Sequence, residues 1–235
     1  MANLETLTRE WEALWAGQYG LPQTRIDHTE QKMSNIVGRH GIEFDNKRVL
    51  DAGCGDGQAL GLLRTKYNIE PYGIDISPTS LRRAHDYSNV NDLGLHLVEA
   101  DVREIPFPDN AFDAVMSFGV IEHFPDYGEA LREFHRVLKP GGDLILVQPH
   151  KNSLRHLKRI RMTMKNEWPY GMQINFSANR LRNELSYYGF GDIKHFVEPY
   201  DPTGPINKID YKLHDLFPNW GYYLYMNGKK SHENI

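Results

Sequence analysis

Between Arg48 and Gln148 the chain alternates apolar runs of strand length with segments of helical periodicity. That alternation is the pattern of βαβ units in a parallel sheet. Five strands are predicted: Arg48 to Gly53, Glu70 to Asp75, Leu93 to Glu99, Ala111 to Ser117 and Asp143 to Gln148. Helices fall over Gln58 to Lys66 and Thr79 to Tyr87, the second opened by Pro78. After the fourth strand, Ala130, Leu131, Phe134, Val137 and Leu138 recur at helical spacing, with Arg132, Glu133 and Arg136 turned to solvent. Lys139-Pro140-Gly141-Gly142 should end that helix and turn the chain into the fifth strand.

Outside this core the pattern is looser. The stretch from Lys151 to Lys165 is basic, no strand pattern appears before Phe176, and the whole of 150–176 reads as an insertion. A helix over Asn179 to Tyr188, a strand Ile193 to Val197, a Pro-rich loop from Pro199 to Pro218 and a strand Gly221 to Met226 are expected to follow. Upstream, Trp11, Trp15 and Tyr19 precede a helix near Glu30 to Gly38 and are read as a flap.

A chain of 235 residues suits one domain. The 27 Lys+Arg against 31 Asp+Glu give a net charge of -4, so no global field draws it to nucleic acid. The single cysteine, Cys54, rules out an internal disulfide and a thiolate zinc cluster, and no metal is expected. Met1 to Glu12 carries acids and no apolar leader core, and no window approaches the ~20 apolar residues of a spanning helix. A cytoplasmic location is the resulting expectation.

In open α/β sheets ligands bind beyond the carboxyl ends of the strands. At the first strand end, Gly53, Gly55 and Gly57 permit positive φ and close backbone approach. Their pattern is G-x-G-x-G; a dinucleotide fingerprint wants glycine at 58, where Gln58 stands. Asp75, about twenty residues on, is placed to accept from ribose hydroxyls. Asp101 and Val102 offer an acceptor and an apolar flank for adenine, and Ser117-Phe118-Gly119 close the fourth strand. Asp51 separates the cofactors, since it would repel a pyrophosphate and attract a cationic methionine group.

Val49 to Gly57 resembles motif I of class I S-adenosylmethionine (SAM)-dependent methyltransferases, and Gly73-Ile74-Asp75-Ile76-Ser77 resembles motif II. Glu99 to Val102 with Ile105-Pro106-Phe107, then Phe112 to Val115, Ile121-Glu122-His123-Phe124-Pro125-Asp126 and Leu138 to Gly142 are similar to the type 11 subgroup, which includes ubiquinone-biosynthesis enzymes. The resemblance covers roughly 46–149. It implies an α/β fold: a doubly wound, Rossmann-like seven-stranded sheet, mostly parallel with an antiparallel last strand and helices on both faces. The regions would be an N-terminal helical flap (1–45), a SAM-binding core (46–149), a basic cap (150–176) and the rest of the sheet (177–235). It also implies that Asp51, Gly53, Cys54 and Gly55 line the methionine part of SAM, Asp75 holds the ribose, Ile76 packs on adenine, and Asp101 with Val102 reads its edge. Ser117 and Phe118 would meet the methionine amine, and Arg25 its carboxylate. The products would be S-adenosylhomocysteine and a methylated small acceptor, a sugar, quinone or lipid-linked compound.

His123 lies past the fourth strand, where an imidazole could take the acceptor's proton; the alternative is that Glu122-His123 only starts a helix. Cys54 between two glycines is read as filler. The acceptor is expected among His123, His150 and the insertion, with Tyr19, His150 and Arg155 against it. Lys151, Arg155, Lys158, Arg159, Arg161 and Lys165 lie on a stretch with Leu154, Leu157, Ile160 and Met164 on one helical side. Three readings stay open for that helix: a cover with charges outward, a dock for an anionic substrate, or contact with an anionic membrane. Rival functions are a non-catalytic SAM-binding module, a nicotinamide oxidoreductase and an RNA methyltransferase using the basic segment.

Overall fold

Seven strands form one sheet in the order β3-β2-β1-β4-β5-β7-β6. The computed structural model describes residues 4–16, 23–168, 171–199 and 205–231. The strands are β1 (Arg48–Ala52), β2 (Glu70–Asp75), β3 (His96–Glu99), β4 (Phe112–Phe118), β5 (Leu138–Pro149), β6 (Phe190–Glu198) and β7 (Tyr223–Lys230). β1 to β5 pair in parallel, while β7 runs antiparallel to both β5 and β6. The strand order reverses between β1 and β4, which opens a crevice at their carboxyl ends.

The helices are α1 (Leu4–Ala16), α2 (Gln23–His40), α3 (Gln58–Lys66), α4 (Pro78–Val90), α5 (Gly128–Val137), α6 (Leu154–Met164), α7 (Ala178–Tyr187) and α8 (Pro205–Leu216). Alternation along the strands divides the core into two layers. Leu50, Val115, Leu144 and Leu146 meet Phe134 of α5 and Leu181 and Leu185 of α7 on one face. Val49, Met116, Ile145 and Val147 meet Ile36 of α2, Leu60 and Leu63 of α3 and Leu81 of α4 on the other. α4 begins as its sequence dictates: the Ser77 hydroxyl accepts from Ser80 N, and Pro78 takes the first turn.

Several element boundaries differ from the sequence reading. The expected flap is two helices, α1 carrying Trp11 and Trp15, and α2 reaching well upstream of Glu30. Leu93 and Leu95 join the core from a turn through Gly94, at φ +62°, so β3 starts only at His96. The Lys139–Gly142 turn lies inside β5, where Gly141 at φ +77° sits within a register shift against β4. The Pro-rich loop contains α8, because Pro205 occupies its first position, where the missing N–H costs nothing. Among the described residues no helix is long and apolar enough to cross a membrane.

Phe134 is fully buried between α5 and the sheet. Phe134→Ala should therefore lower unfolding free energy by about 3–5 kcal/mol in urea titration.

Candidate active site

β1 delivers Asp51 to the crevice and breaks into three glycines with left-handed φ: Gly53 at +89°, Gly55 at +55° and Gly57 at +77°. Space as well as φ restricts the first of these, since a Cβ on Gly53 would fall 2.3 Å from Val120 Cγ2. Asp75, at the end of β2, accepts from Gly55 N at 2.8 Å and from Ser77 N at 2.9 Å, so one carboxylate clamps both turns. Asp51, Asp56 and Asp75 are all buried. Burial first, then the charges of Asp75 and Asp56, push Asp51 up to about 8. Burial also raises Asp75, against the opposing hydrogen bonds from Ser77 and Gly55. A ligand cation placed here would relieve the repulsion among the three acids.

The sequence-derived cofactor set is only partly in one place. Asp51, Gly53, Cys54, Gly55 and Asp75 converge on the turn. The Cys54 thiol is held well above its usual range by burial and by Asp51 and Asp75, which removes it as a nucleophile. Ile76 is half-buried beside Asp75, and Val102 is core. The Asp101 carboxylate is held by Arg103, whose Nη2 donates at 2.7 Å and whose backbone N donates at 2.8 Å. An adenine amine would have to share it. Ser117 is fully buried and donates to Ala52 O at 2.8 Å, joining β4 to β1 beneath the glycine turn. Tyr19 lies outside the described residues; Arg25 lies in α2, and its side chain is outside them too. Gln58 was not foreseen as a site residue: both amide atoms are buried at the start of α3 without a hydrogen-bond partner.

α1 roofs this turn. Trp15 is buried so close to Gly55 that an added Cβ would lie 2.9 Å from its ring. Glu12 accepts from Thr79 N at 2.9 Å and from the Thr79 and Ser77 hydroxyls, which binds α1 to the start of α4. One turn earlier, Trp11 meets the His123 ring edge-on, with centroids 4.9 Å apart.

Past Phe118 the crevice opens into a cavity of about 250 Å³ lined by residues that include Lys32, Phe118, Glu122, His123, Gln148, Arg155, Trp168, Gln173 and Tyr222. His123 Nδ1 is 3.0 Å from the Met172 carbonyl, an obligate acceptor. The neutral ring therefore carries its hydrogen on Nδ1 and presents Nε2 as the basic nitrogen, 3.7 Å from Glu122 Oε1. Burial pushes Glu122 up to about 8, and its Oε2 has no hydrogen-bond partner. Both amide atoms of the fully buried Gln148, and Gln173 Oε1, are unpartnered as well. Buried polar atoms without partners around one cavity suit a polar ligand that supplies the missing bonds. Arg155, read from the sequence as a substrate residue, lines the cavity and lies over the Tyr222 ring at 5.0 Å. His150 differs: it stands outside the cavity wall, its Nδ1 3.2 Å from Gly221 O, and burial lowers it to about 4, so it is a neutral link between β5 and the start of β7.

A larger depression of about 620 Å³ lies at the opposite end of the sheet. Both of its acids are already paired, Glu70 with Arg48 and Asp113 with Lys139, so volume does not choose the site. Among the described residues no cluster of acids, histidines and cysteine has the arrangement of a metal site.

Residues 50–146 match the family model described as a methyltransferase domain. A demethylmenaquinone methyltransferase of Thermus thermophilus is 41% identical over 109 residues, 46% of this chain and 49% of that protein. A 2-methyl-6-phytyl-1,4-hydroquinone methyltransferase of Synechocystis is 28% identical over 80% of this chain and 57% of its own length. The chain thus spans about half the length of these curated relatives. The same fold is seen in a Thermotoga maritima SAM-dependent methyltransferase described as a possible histamine N-methyltransferase, with a TM-score of 0.69, 18% identity and 96% and 100% of the two chains covered. The fold is thus that of the solved methyltransferase neighbour, whose likeness to this chain is one of architecture. The match to the methyltransferase-domain model falls on the stretch whose sequence motifs resemble the type 11 family.

The raised Asp51 has a consequence for stability. Its pKa is about 8 folded and about 4 unfolded, so the folded state holds a proton that the unfolded chain releases between these values. Stability from this group is then lost as pH rises from about 4 to about 8. In differential scanning fluorimetry, Asp51→Asn should melt higher than the wild type at pH 8 without ligand, and the gain should vanish near pH 4.

Proposed function

We propose that this chain is a SAM-dependent methyltransferase that binds the cofactor over the ends of β1 and β2 and methylates an oxygen or nitrogen of a small acceptor held in the cavity beyond Phe118. The observation that carries this is the buried cluster of Asp51, Asp56 and Asp75 at a turn too tight for Cβ atoms, with Asp51 raised to about 8. It favours a cation and opposes the pyrophosphate of a nicotinamide dinucleotide.

When bound, SAM supplies a methyl group activated by its sulfonium. The rest is the protein's work. Asp51, protonated in the free protein, releases its proton to solvent when the cationic end binds and then faces it with negative charge, and the Asp75 oxygens keep lone pairs for ribose hydroxyls beyond those given to Gly55 and Ser77. Gln58 offers its amide to the polar methionine groups. His123 Nε2 takes the acceptor's proton, and the bond to Met172 O fixes the tautomer in which it can do so. Glu122, protonated near neutral pH, donates to an acceptor oxygen, and Gln148 orients it. Trp11 and Trp15 keep water from the reacting groups.

The two relatives above are named for quinone-type acceptors. The aromatic walls, Trp168 and Tyr222 among them, suit a flat hydroxylated ring, and Arg155 with Lys32 suits an anionic substituent on it. The cavity is large enough for a ring-sized head and leaves any longer chain outside.

In isothermal titration calorimetry the wild type should bind SAM and give no heat with NAD, and Asp75→Ala should weaken SAM binding about tenfold or more. Unchanged affinity in Asp75→Ala would sink the site. Turnover of methyl-labelled SAM with a panel of hydroxylated aromatic acids separates an enzyme from a binding module. There, His123→Ala should lose at least about a hundredfold in kcat with SAM affinity preserved; equal turnover would remove His123 as the base.

A further inference from the structure

α6 is an amphipathic helix turned inside out. No residue of it is buried. Its inward side carries arginines: Arg159 Nη1 donates to Gln173 O at 2.8 Å, and Arg155 lies over Tyr222. Its outward side carries Leu157, Ile160 and Met164, which share one stripe at i, i+3 and i+7 and are 58%, 41% and 81% exposed. A helix that merely covered a sheet would reverse this arrangement. Lys158, Arg161 and Lys165 are exposed along the flank of the stripe, and no acid occurs from 151 to 166.

α8 packs against α6 and adds to the exposed apolar surface. The buried Asp210 of α8 ties the two together, accepting from Leu154 N at 3.0 Å and from Trp220 Nε1 at 2.6 Å. Ile209 and Leu216 of α8, with Phe217 just beyond it, are all more than half exposed. Single exposed hydrophobic residues are ordinary, but five on two packed helices with a sixth just beyond are not.

We propose that the α6–α8 face docks peripherally on an anionic phospholipid bilayer. Such a surface uses both halves of the face: the apolar stripe enters the boundary between headgroups and acyl chains, and the flanking lysines and arginine meet lipid phosphates. RNA would engage the cations and leave the leucine, isoleucine and methionine in water. The overall charge of -4 sets this local positive stretch apart from the rest of the chain. α6 borders the cavity through Arg155, so docking brings the cavity to the lipid surface. The inference goes beyond the proposed reaction and can be tested without an acceptor.

The full chain is co-sedimented with phosphatidylcholine vesicles and with vesicles containing about 30% phosphatidylglycerol, at about 0.1 M and about 0.5 M NaCl. Binding is expected only to the anionic vesicles and should weaken at high salt. Lys158→Glu with Arg161→Glu should lower partitioning at least about tenfold. Leu157→Asp with Met164→Asp should abolish it while the melting temperature stays at the wild-type value, since both side chains are exposed. The proposal fails if anionic vesicles are not bound, if neutral ones are bound equally, or if the Leu157→Asp, Met164→Asp variant still binds. It also fails if a single-stranded RNA oligonucleotide displaces the protein from vesicles, or if analytical ultracentrifugation shows the face buried in a self-association that this variant breaks.

Discussion

Three carboxylates held out of water at one end of a parallel sheet set the terms for the rest of this molecule. Asp51 cannot leave the crevice, because its neighbours Leu50 and Ala52 are fully buried in β1 between β2 and β4. Asp75 cannot leave either, since it supplies the acceptors for Gly55 N and Ser77 N, and through them the shape of two consecutive strand ends. A protein optimised for stability alone would place a neutral amide or a base among these acids. Three acids buried side by side break that rule, and such breaks are expected at functional positions.

α1 connects this electrostatic centre to the cavity beyond Phe118. Trp11, Glu12 and Trp15 lie on one face of the helix, at spacings of one, three and four residues, and meet in turn His123, the start of α4 and the glycine turn. Glu12 is held below the ordinary carboxylate range although burial acts in the opposite direction, because the hydroxyls of Ser77 and Thr79 and the Thr79 N–H all donate to it. The charge also suits the positive end of α4. A single short helix therefore positions one wall of each compartment, and a change in its seating would be felt in both.

The sheet, the glycine turn and the acids at three strand ends were legible because each depends on local pattern: apolar runs of strand length, left-handed φ, and a carboxylate within two residues of a strand's end. The cavity beyond Phe118 was mostly not. Lys32, Glu122, Gln148, Arg155 and Gln173 come from elements far apart in the chain, and only the sheet order and the return of 172–174 over Glu122 and His123 bring them together. His150 was misplaced for the same reason: it follows Pro149 of the cavity wall but bonds across to Gly221. α8 was missed because prolines at 199, 202, 205 and 218 read as loop, although Pro205 and Pro218 mark its two ends.

The basic segment shows what periodicity can and cannot carry. Alternation of Leu157, Ile160 and Met164 with arginines and lysines fixes an amphipathic helix, but the pattern is silent on which side faces the protein. Charge outward is the usual choice, since a guanidinium loses hydration on burial. In α6 the inward arginines recover that loss from the Gln173 carbonyl and the Tyr222 ring, both of them beside the cavity. The orientation of the helix is thus tied to the cavity wall, and the same contacts that hold Arg155 at the cavity leave the apolar stripe facing outward. The cavity wall and the exposed apolar stripe are two sides of one helix, so a change that turns the helix alters both.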